Sequence, residues 1–496
     1  MDGSPDGSSA RVDFASTKGL CGICKRLLDA TIYFEGGRVF LDKSCPEHGR
    51  AQVLIASSEA WYRDALSFTA EPTPPRGDKK PVEKGCPFDC GPCTEHTQKV
   101  VMPVVPITSA CNLDCPICYT VNKNEGAHNV SKADFQRMLD HLKKQHDEID
   151  IINFTGGEPT LHPHLPELCE MSRAAGIERI TISTNGLKLL DEGYVKRLAE
   201  VDATVVLSLD TFRREVDEAL LGANTVKAKL RVLDLLEQHD VTTTILPAIA
   251  AGYNDTEVGK LLDLVIARPN ITSLELHTLT FTGQGGVGFD RGSRITTPDL
   301  HARIEEHTGG RLTWRDFVPS PLAHPHCYSI CYMLLLDGGG FVPFTRIMPR
   351  SDLYDLLRDS LYIEPRERTE HVLRDAIDRV WAEGDEVPES EAILATLKRL
   401  VQELFPSDDT LSIRERRRAG ERTIKAIYIH SHMDEESFET DRIKQCSIGV
   451  PLEGGGNIPT CSYNVIYREQ DGRYADPSML ERMVEGKKRL LPILRA

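Results

Sequence analysis

Between residues 102 and 280, β-rich runs alternate with amphipathic helical stretches; cysteine pairs flank a hairpin-like segment before them, and a mixed α/β region follows. These three observations predict an α/β protein: a (β/α)6 partial TIM barrel with an N-terminal metal ribbon and a C-terminal α/β domain. Strand and helix in alternation imply a parallel sheet, whose working residues sit at the C-terminal ends of the strands. At 496 residues the chain exceeds what one core serves, so one large domain with smaller flanking ones is expected.

From the N-terminus, residues 1–19 are small and polar and are expected to be a disordered tail. In 20–69 the pairs Cys21/Cys24 and Cys45/His48 flank TIYFEGGRVFL, whose Gly36-Gly37 reads as a hairpin turn. Such a ribbon is too small for a core of its own, and its ligand pattern suits tetrahedral zinc or rubredoxin-like iron, with His48 or a later cysteine as fourth ligand. Residues 70–100 are a proline-rich linker followed by Cys86, Cys90 and Cys93. The barrel is expected over 101–285, with strands in VMPVVPI, IDIINFT, RITIST, TVVLSLD, TTTILPAIA and SLELHTL. The first barrel helix starts at an N-cap, Ser131, and puts Phe135, Met138, Leu139 and Leu142 on one face. The remaining 286–496 contain two amphipathic stretches, around Val372, Ile377 and Val380 and around Leu394, Leu397, Leu400, Val401 and Leu404. Near the end, Cys446 and Cys461 bracket the hairpin-like VPLEGGGNIPT.

Composition narrows the function classes. A net charge of −16 argues against a nucleic-acid-binding surface. The dense basic run of Arg414, Arg416, Arg417 and Arg418 reads as a solvated face, with docking of an anionic partner as the lesser reading. No apolar run approaches the roughly 18 residues that span a bilayer, which leaves peripheral membrane contact as the closest approach to lipid. The first residues show neither the basic nor the apolar region of a secretory signal, so a cytoplasmic location is expected. Reducing conditions there make closely spaced cysteines, of which the chain has 14, a sign of metal or catalysis rather than disulfides.

The spacing C-x3-C-x2-C occurs twice, at Cys86/Cys90/Cys93 and at Cys111/Cys115/Cys118. Context separates the two. The second set, in CNLDCPICY, directly follows a strand ending near Thr108 and precedes a helix and another strand, as the first loop of a barrel does. The first set has no strand before it and reads as an auxiliary metal site. Three thiolate ligands leave one iron of a [4Fe–4S] cluster open. On its own, the triad is also compatible with structural zinc.

CNLDCPICY together with Gly156-Gly157-Glu158 in NFTGGEPT resembles the radical S-adenosylmethionine (SAM) superfamily. The resemblance implies that Cys111, Cys115 and Cys118 hold the catalytic cluster and that SAM binds its open iron. It further implies that Gly156, Gly157 and Glu158 meet the SAM amino group, and that Tyr119, Ser183, Asn185, Ser208, Asp210 and Asn254 are among the remaining SAM contacts. Cys169, in LPELCEMSRA, reads as a packed core thiol, whereas Cys327, Cys331, Cys446 and Cys461 are expected, with Cys86, Cys90 and Cys93, to supply auxiliary Fe–S ligands. His277, Arg346 and His430 stand out on polarity alone and are expected to be structural.

From CGIC to PTCSYN, the order of cysteine motifs resembles the branch that contains tetraether lipid synthase and the radical SAM 7,8-dihydropterin methyltransferase. This implies a 5′-deoxyadenosyl radical, C–H activation and, as the main expectation, carbon–carbon bond formation on a lipid alkyl chain. The amphipathic helices near 372 and 394 are expected to pack against the barrel exterior, with the lining of an apolar lipid channel as the lesser reading. The alternatives are a methyltransferase acting on a pterin or other small molecule, a peptide maturase with auxiliary clusters, and an electron-relay protein on a decayed barrel. The expected electron donor is a flavodoxin or ferredoxin.

Overall fold

The computed structural model describes residues 10–474 except 70, 78, 92, 121–123, 125, 147–148 and 407–410. Part of the stretch expected to be a disordered tail is strand: β1 (Val12–Leu20) pairs antiparallel with β2 (Leu27–Glu35). Its outer face is polar, which hides it in the sequence, while Phe14 packs on Phe34 with ring centroids 4.8 Å apart. The sheet continues through β3 (Arg38–Cys45) and β4 (Gly49–Ala56) and is followed by α1 (Glu59–Leu66). Gly36 and Gly37, both at positive φ, make the β2–β3 hairpin turn. Contrary to expectation this ribbon has a small core, Ile32, Phe34, Val39 and Leu41 closed by Trp61 and Tyr62 of α1.

The barrel begins at β5 (Met102–Thr108). It proceeds through α2 (Lys132–Gln145), β6 (Ile151–Gly156), α3 (Leu165–Ala174), β7 (Arg179–Thr184), α4 (Glu192–Glu200), β8 (Thr204–Leu207), α5 (Arg214–Leu221), α6 (Val226–Gln238), β9 (Thr243–Ile245), β10 (Ala248–Ile249), α7 (Val258–Ala267) and β11 (Ile271–Thr278). Each of the expected runs supplies a strand. β5, β6, β7, β8, β9 and β11 lie side by side and parallel. Ser131 caps α2, accepting from Asp134 N at 3.1 Å, and Phe135, Met138, Leu139 and Leu142 are buried beneath it.

Beyond the barrel come α8 (Gly285–Gly288), α9 (Thr297–His307), β12 (Val318–Pro319), β13 (Tyr328–Leu335), β14 (Phe341–Pro343), α10 (Arg350–Leu356), α11 (Glu367–Glu383), α12 (Ser390–Leu404), α13 (Ile413–Thr423), β15 (Ile424–His430), α14 (Thr440–Lys444), β16 (Ile448–Pro451) and β17 (Asn457–Pro459). They do not form a separate sheet. β15 pairs parallel with β11, and β16 pairs parallel with β5, so the C-terminal region extends the barrel sheet at both edges. The boundary expected at 285/286 therefore runs through a continuous sheet. Spacing within single segments carries no information about such pairing between distant strands.

α11 and α12 turn their apolar faces inward, where Leu373, Val380, Ile393, Leu397 and Leu400 share a core with β13 and β15. The arginine run lies on α13 and ties it to the barrel. Arg417 donates to Glu364 at 2.9 Å, Arg418 donates to Asp202 at 2.8 Å, and Arg414 pairs with Asp202 at 2.6 Å.

Two buried imidazoles join the ribbon to the barrel. His326 Nε2 donates to Tyr62 O at 3.0 Å and its ring stacks on Tyr62, while His301 packs between Trp61 and Phe317. Burial pushes both histidines down to about 3. Their contribution to stability is therefore complete above the ordinary histidine pKa and is lost as pH falls from about 6.5 toward 3. At pH 5 the loss is about 2 kcal/mol for each. Melting at pH 7.5 and pH 5 should show a marked drop in wild type and a smaller one in His326→Gln; equal drops would contradict this.

Candidate active site

β5 ends at Thr108 and leads into the loop of Cys111, Cys115 and Cys118, on the C-terminal rim of the barrel. The loop is held from several sides. Gly157 N donates to Thr108 O at 2.8 Å, Glu158 N to Ala110 O at 2.7 Å, Ile117 N to Leu220 O at 3.1 Å and Gly285 N to Cys118 O at 2.9 Å. A side-chain link, Asn185 Nδ2 to Asn112 Oδ1 at 2.7 Å, joins it to the end of β7. Burial raises the Cys111 thiol to about 12 and the Cys115 thiol further, and the nearby Cys118 sulfur adds to both shifts. Thiols that resist ionisation together become good ligands once a cation sits among them, which fits a cluster with three thiolate ligands.

The glycines of the GGE segment form a ledge behind this loop. Gly156 has φ +143°, and a Cβ there would lie 2.2 Å from Thr108 O; a Cβ on Gly157 would lie 2.2 Å from Ala110 O. Only bare backbone lets β6 lie this close to the exit of β5.

The other expected SAM contacts divide into two groups. Glu158 is buried with its carboxylate spent inside the protein: Oε1 accepts from Thr160 N (3.1 Å), Thr160 Oγ1 (2.6 Å) and Thr184 Oγ1 (2.7 Å), and Oε2 from Asn185 N (2.8 Å). Burial nevertheless raises its pKa. Asp210 accepts from Ala248 N at 2.8 Å and faces the buried Lys229 at 3.7 Å; burial raises its carboxyl and Lys229 opposes the shift. Asn254 accepts from Ala250 N and donates to the carbonyls of Asp210 and Ala248. These three side chains brace the rim. Ser183, Asn185, Ser208 and Tyr119 keep partial exposure on it, with the Arg468 guanidinium 6.0 Å from the Tyr119 ring. Thr160, Thr184 and Lys229 complete the bracing. Of these, Thr160 lies at the end of NFTGGEPT and Thr184 between Ser183 and Asn185, while Lys229 carried no sequence signal.

In the ribbon, Cys21, Cys24, Cys45 and His48 converge, their ligand atoms all within 4.8 Å of one another. Cys24 Sγ lies 3.9 Å from Cys45 Sγ, and His48 Nδ1 lies 3.6 Å from Cys21 Sγ and 3.5 Å from Cys45 Sγ. Burial works to raise the Cys45 thiol, but the Glu47 amide, the His48 ring and amide, and the Cys21 thiol outweigh it and bring it to about 6. This set fits tetrahedral Cys3His metal, with His48 as the fourth ligand. Because the sheet has its own core, removing the metal with a chelator should expose the three thiols to reagent while leaving Trp61 emission unchanged. A shift of that emission to the unfolded value would show that the metal carries the ribbon.

The remaining cysteines fall into two further groups. Cys86 and Cys90 hydrogen-bond through sulfur, with Cys93 close enough to raise Cys86 further, and the Tyr467 hydroxyl accepts from Cys90 N at 3.0 Å. The β16–β17 hairpin brings Cys446 and Cys461 together beside Cys327, whose sulfur accepts from Arg442 Nη2 at 3.5 Å. Cys331 does not join them. It is fully buried within β13 in the barrel core, far up in pKa from burial, and is a packed thiol instead of a metal ligand. Cys169 is buried in the same core, as expected. Arg346 pairs with Asp316 at 3.0 Å. His277 and His430 sit opposite each other on β11 and β15 and are joined by His432, which the sequence analysis missed. Burial, then the neighbouring imidazoles, hold His430 and His432 well below the ordinary histidine range, so both are neutral.

Residues 105–265 match the Radical SAM superfamily, and residues 14–57 match the HMPTM N-terminal zinc ribbon domain. The chain is 27% identical to the 7,8-dihydro-6-hydroxymethylpterin dimethyltransferase of Methanocaldococcus jannaschii, over 92% of this chain and 94% of that protein. It is 31% identical to the GTP 3′,8-cyclase of Chlorobaculum tepidum over 41% of this chain and 63% of the cyclase. Identity to the mycofactocin maturase MftC of Mycobacterium ulcerans is 28%, over 34% of this chain and 41% of the maturase. No helix among the described residues is long and apolar enough to cross a membrane. The superfamily match falls on the strands that carry the cysteine loop and its glycine ledge, so residues 105–265 are a radical SAM domain of an enzyme, with SAM and a [4Fe–4S] cluster as the domain's cofactors, and a zinc ribbon precedes it.

Proposed function

We propose that this enzyme is a methyltransferase acting on a reduced pterin or a similar small heteroaromatic molecule. The observation that carries the reading is similarity to a pterin dimethyltransferase along nearly the whole of both chains, whereas the cyclase and the maturase resemble only part of it. The expectation of carbon–carbon bond formation on lipid finds no such support. The apolar faces of α11 and α12, the candidate channel walls, are occupied by their own core.

In this reading Cys111, Cys115 and Cys118 would hold a [4Fe–4S] cluster, which would supply the electron for reductive cleavage of SAM and so the radical chemistry. Gly156 and Gly157 offer bare backbone to the SAM amino group, and Ser183, Asn185, Ser208 and Tyr119 offer polar groups to the rest of the molecule. Glu158, Asp210 and Asn254 hold that rim in place. Cys86/Cys90/Cys93 and Cys327/Cys446/Cys461 hold auxiliary iron–sulfur centres, and a flavodoxin- or ferredoxin-type donor reduces the enzyme.

The test is anaerobic turnover with SAM, reductant and 7,8-dihydro-6-hydroxymethylpterin, read by mass spectrometry. Methylated pterin should form together with 5′-deoxyadenosine. Deoxyadenosine formation stimulated by a glycerol alkyl lipid and not by the pterin would overturn the substrate assignment.

A further inference from the structure

We propose that His277, His430 and His432 hold a divalent transition-metal ion at the barrel rim, at a site separate from the ribbon metal and bordering Cys461 without sharing it as a ligand. One ring nitrogen from each lies within 4.8 Å of the others, and the ring centroids are 3.9 to 5.1 Å apart. The strands dictate this grouping. His277 and His430 are register partners near the C-terminal ends of the parallel strands β11 and β15, on the same rim as the cysteine loop. His432 follows two residues after His430, where the chain leaves β15.

The partners of the individual ring nitrogens support metal binding. His277 Nε2 donates to Glu275 Oε1 at 2.9 Å, which leaves Nδ1 available. A carboxylate on the outer nitrogen is the usual means of orienting a ligating imidazole and raising its basicity. His430 Nδ1 is buried with no hydrogen-bond partner, and the ring is fixed by Tyr328, stacked on it at 3.9 Å. His432 Nδ1 lies 3.7 Å from Cys461 Sγ, which leaves Nε2 for the triad. The nearby cation, Arg442, is directed to the Cys327 sulfur and, at 2.8 Å, to the Ser431 carbonyl. Three imidazoles suit zinc or ferrous iron among the available divalent ions. Three protein ligands also leave a position open, and half-buried His277 and His432 place it where a nitrogen or oxygen donor of a small molecule can enter.

The probe is Co2+ added anaerobically to the full-length protein with its clusters reconstituted and its ribbon loaded. Wild type should take up one equivalent more than His277→Gln/His430→Gln, with visible bands of nitrogen-ligated cobalt and identical sulfide content. Equal uptake would overturn the proposal. So would loss of sulfide along with iron in the variant, which would make a histidine a ligand of an auxiliary cluster. Should the double variant fail to fold, Glu275→Gln keeps all three rings and should weaken Co2+ binding about 10- to 100-fold. Unchanged affinity there would likewise count against the site.

Discussion

Cys115→Ala should reduce SAM cleavage to background while the ribbon keeps its metal. Cys115 is the middle cysteine of a loop in which the Cys118 sulfur helps to raise both the Cys111 and the Cys115 thiol. With one sulfur gone, the remaining pair cannot hold a cluster that presents a single open iron. Nothing in the ribbon depends on this loop, because Cys21, Cys24, Cys45 and His48 form their own set. The measurement is 5′-deoxyadenosine formed per chain, alongside iron, zinc and sulfide content. Deoxyadenosine should vanish and one cluster's worth of iron and sulfide with it. Cleavage at the wild-type rate would transfer the catalytic role to Cys86, Cys90 and Cys93.

The second large effect is expected from a single methyl group. In Gly157→Ala the new Cβ meets Ala110 O at 2.2 Å, Ala110 C at 2.6 Å and Ser109 O at 2.7 Å. These atoms are backbone, so no rotamer change relieves the overlap, and the cysteine loop itself must move. Displacements of about 1 Å at a reacting centre can cost on the order of 100-fold in rate, and a loss of that size in SAM cleavage is expected. The matched control is Gly338→Ala, where an added Cβ meets nothing within 4 Å. The control should retain wild-type cleavage and cluster content. A Gly157→Ala enzyme with full activity would show that the ledge does not position the loop.

The sequence made the barrel legible because its information is local. Alternation within each run and the spacing of Phe135, Met138, Leu139 and Leu142 describe elements that pack where they stand in the chain. The loop of Cys111, Cys115 and Cys118 was legible for the same reason, since loop, preceding strand and following helix are contiguous. Pairings between distant segments were hidden. β15 and β16 join the barrel sheet from more than a hundred residues away, and nothing in IKAIYIH or IGVP names a partner. Cys331 shows the converse error. Its spacing from Cys327 resembles a ligand pair, yet the turn ends between them and one residue enters a strand facing the core. For Glu158, Asp210 and Asn254, expected as SAM contacts, sequence cannot show that Thr160 and Thr184 already donate to Glu158, that Lys229 faces Asp210, or that Asn254 is bonded to the backbone. His432 was missed because an imidazole two residues beyond a strand means little until β11 lies alongside.

The most direct test of the central claim is the electron paramagnetic resonance spectrum of the reduced, reconstituted enzyme with SAM labelled with 15N at its amino group. A SAM-dependent change in the cluster signal with hyperfine coupling to the label is expected, both absent in Cys115→Ala. A spectrum that ignores SAM, or one that keeps the coupling in the variant, would contradict an open iron held by Cys111, Cys115 and Cys118.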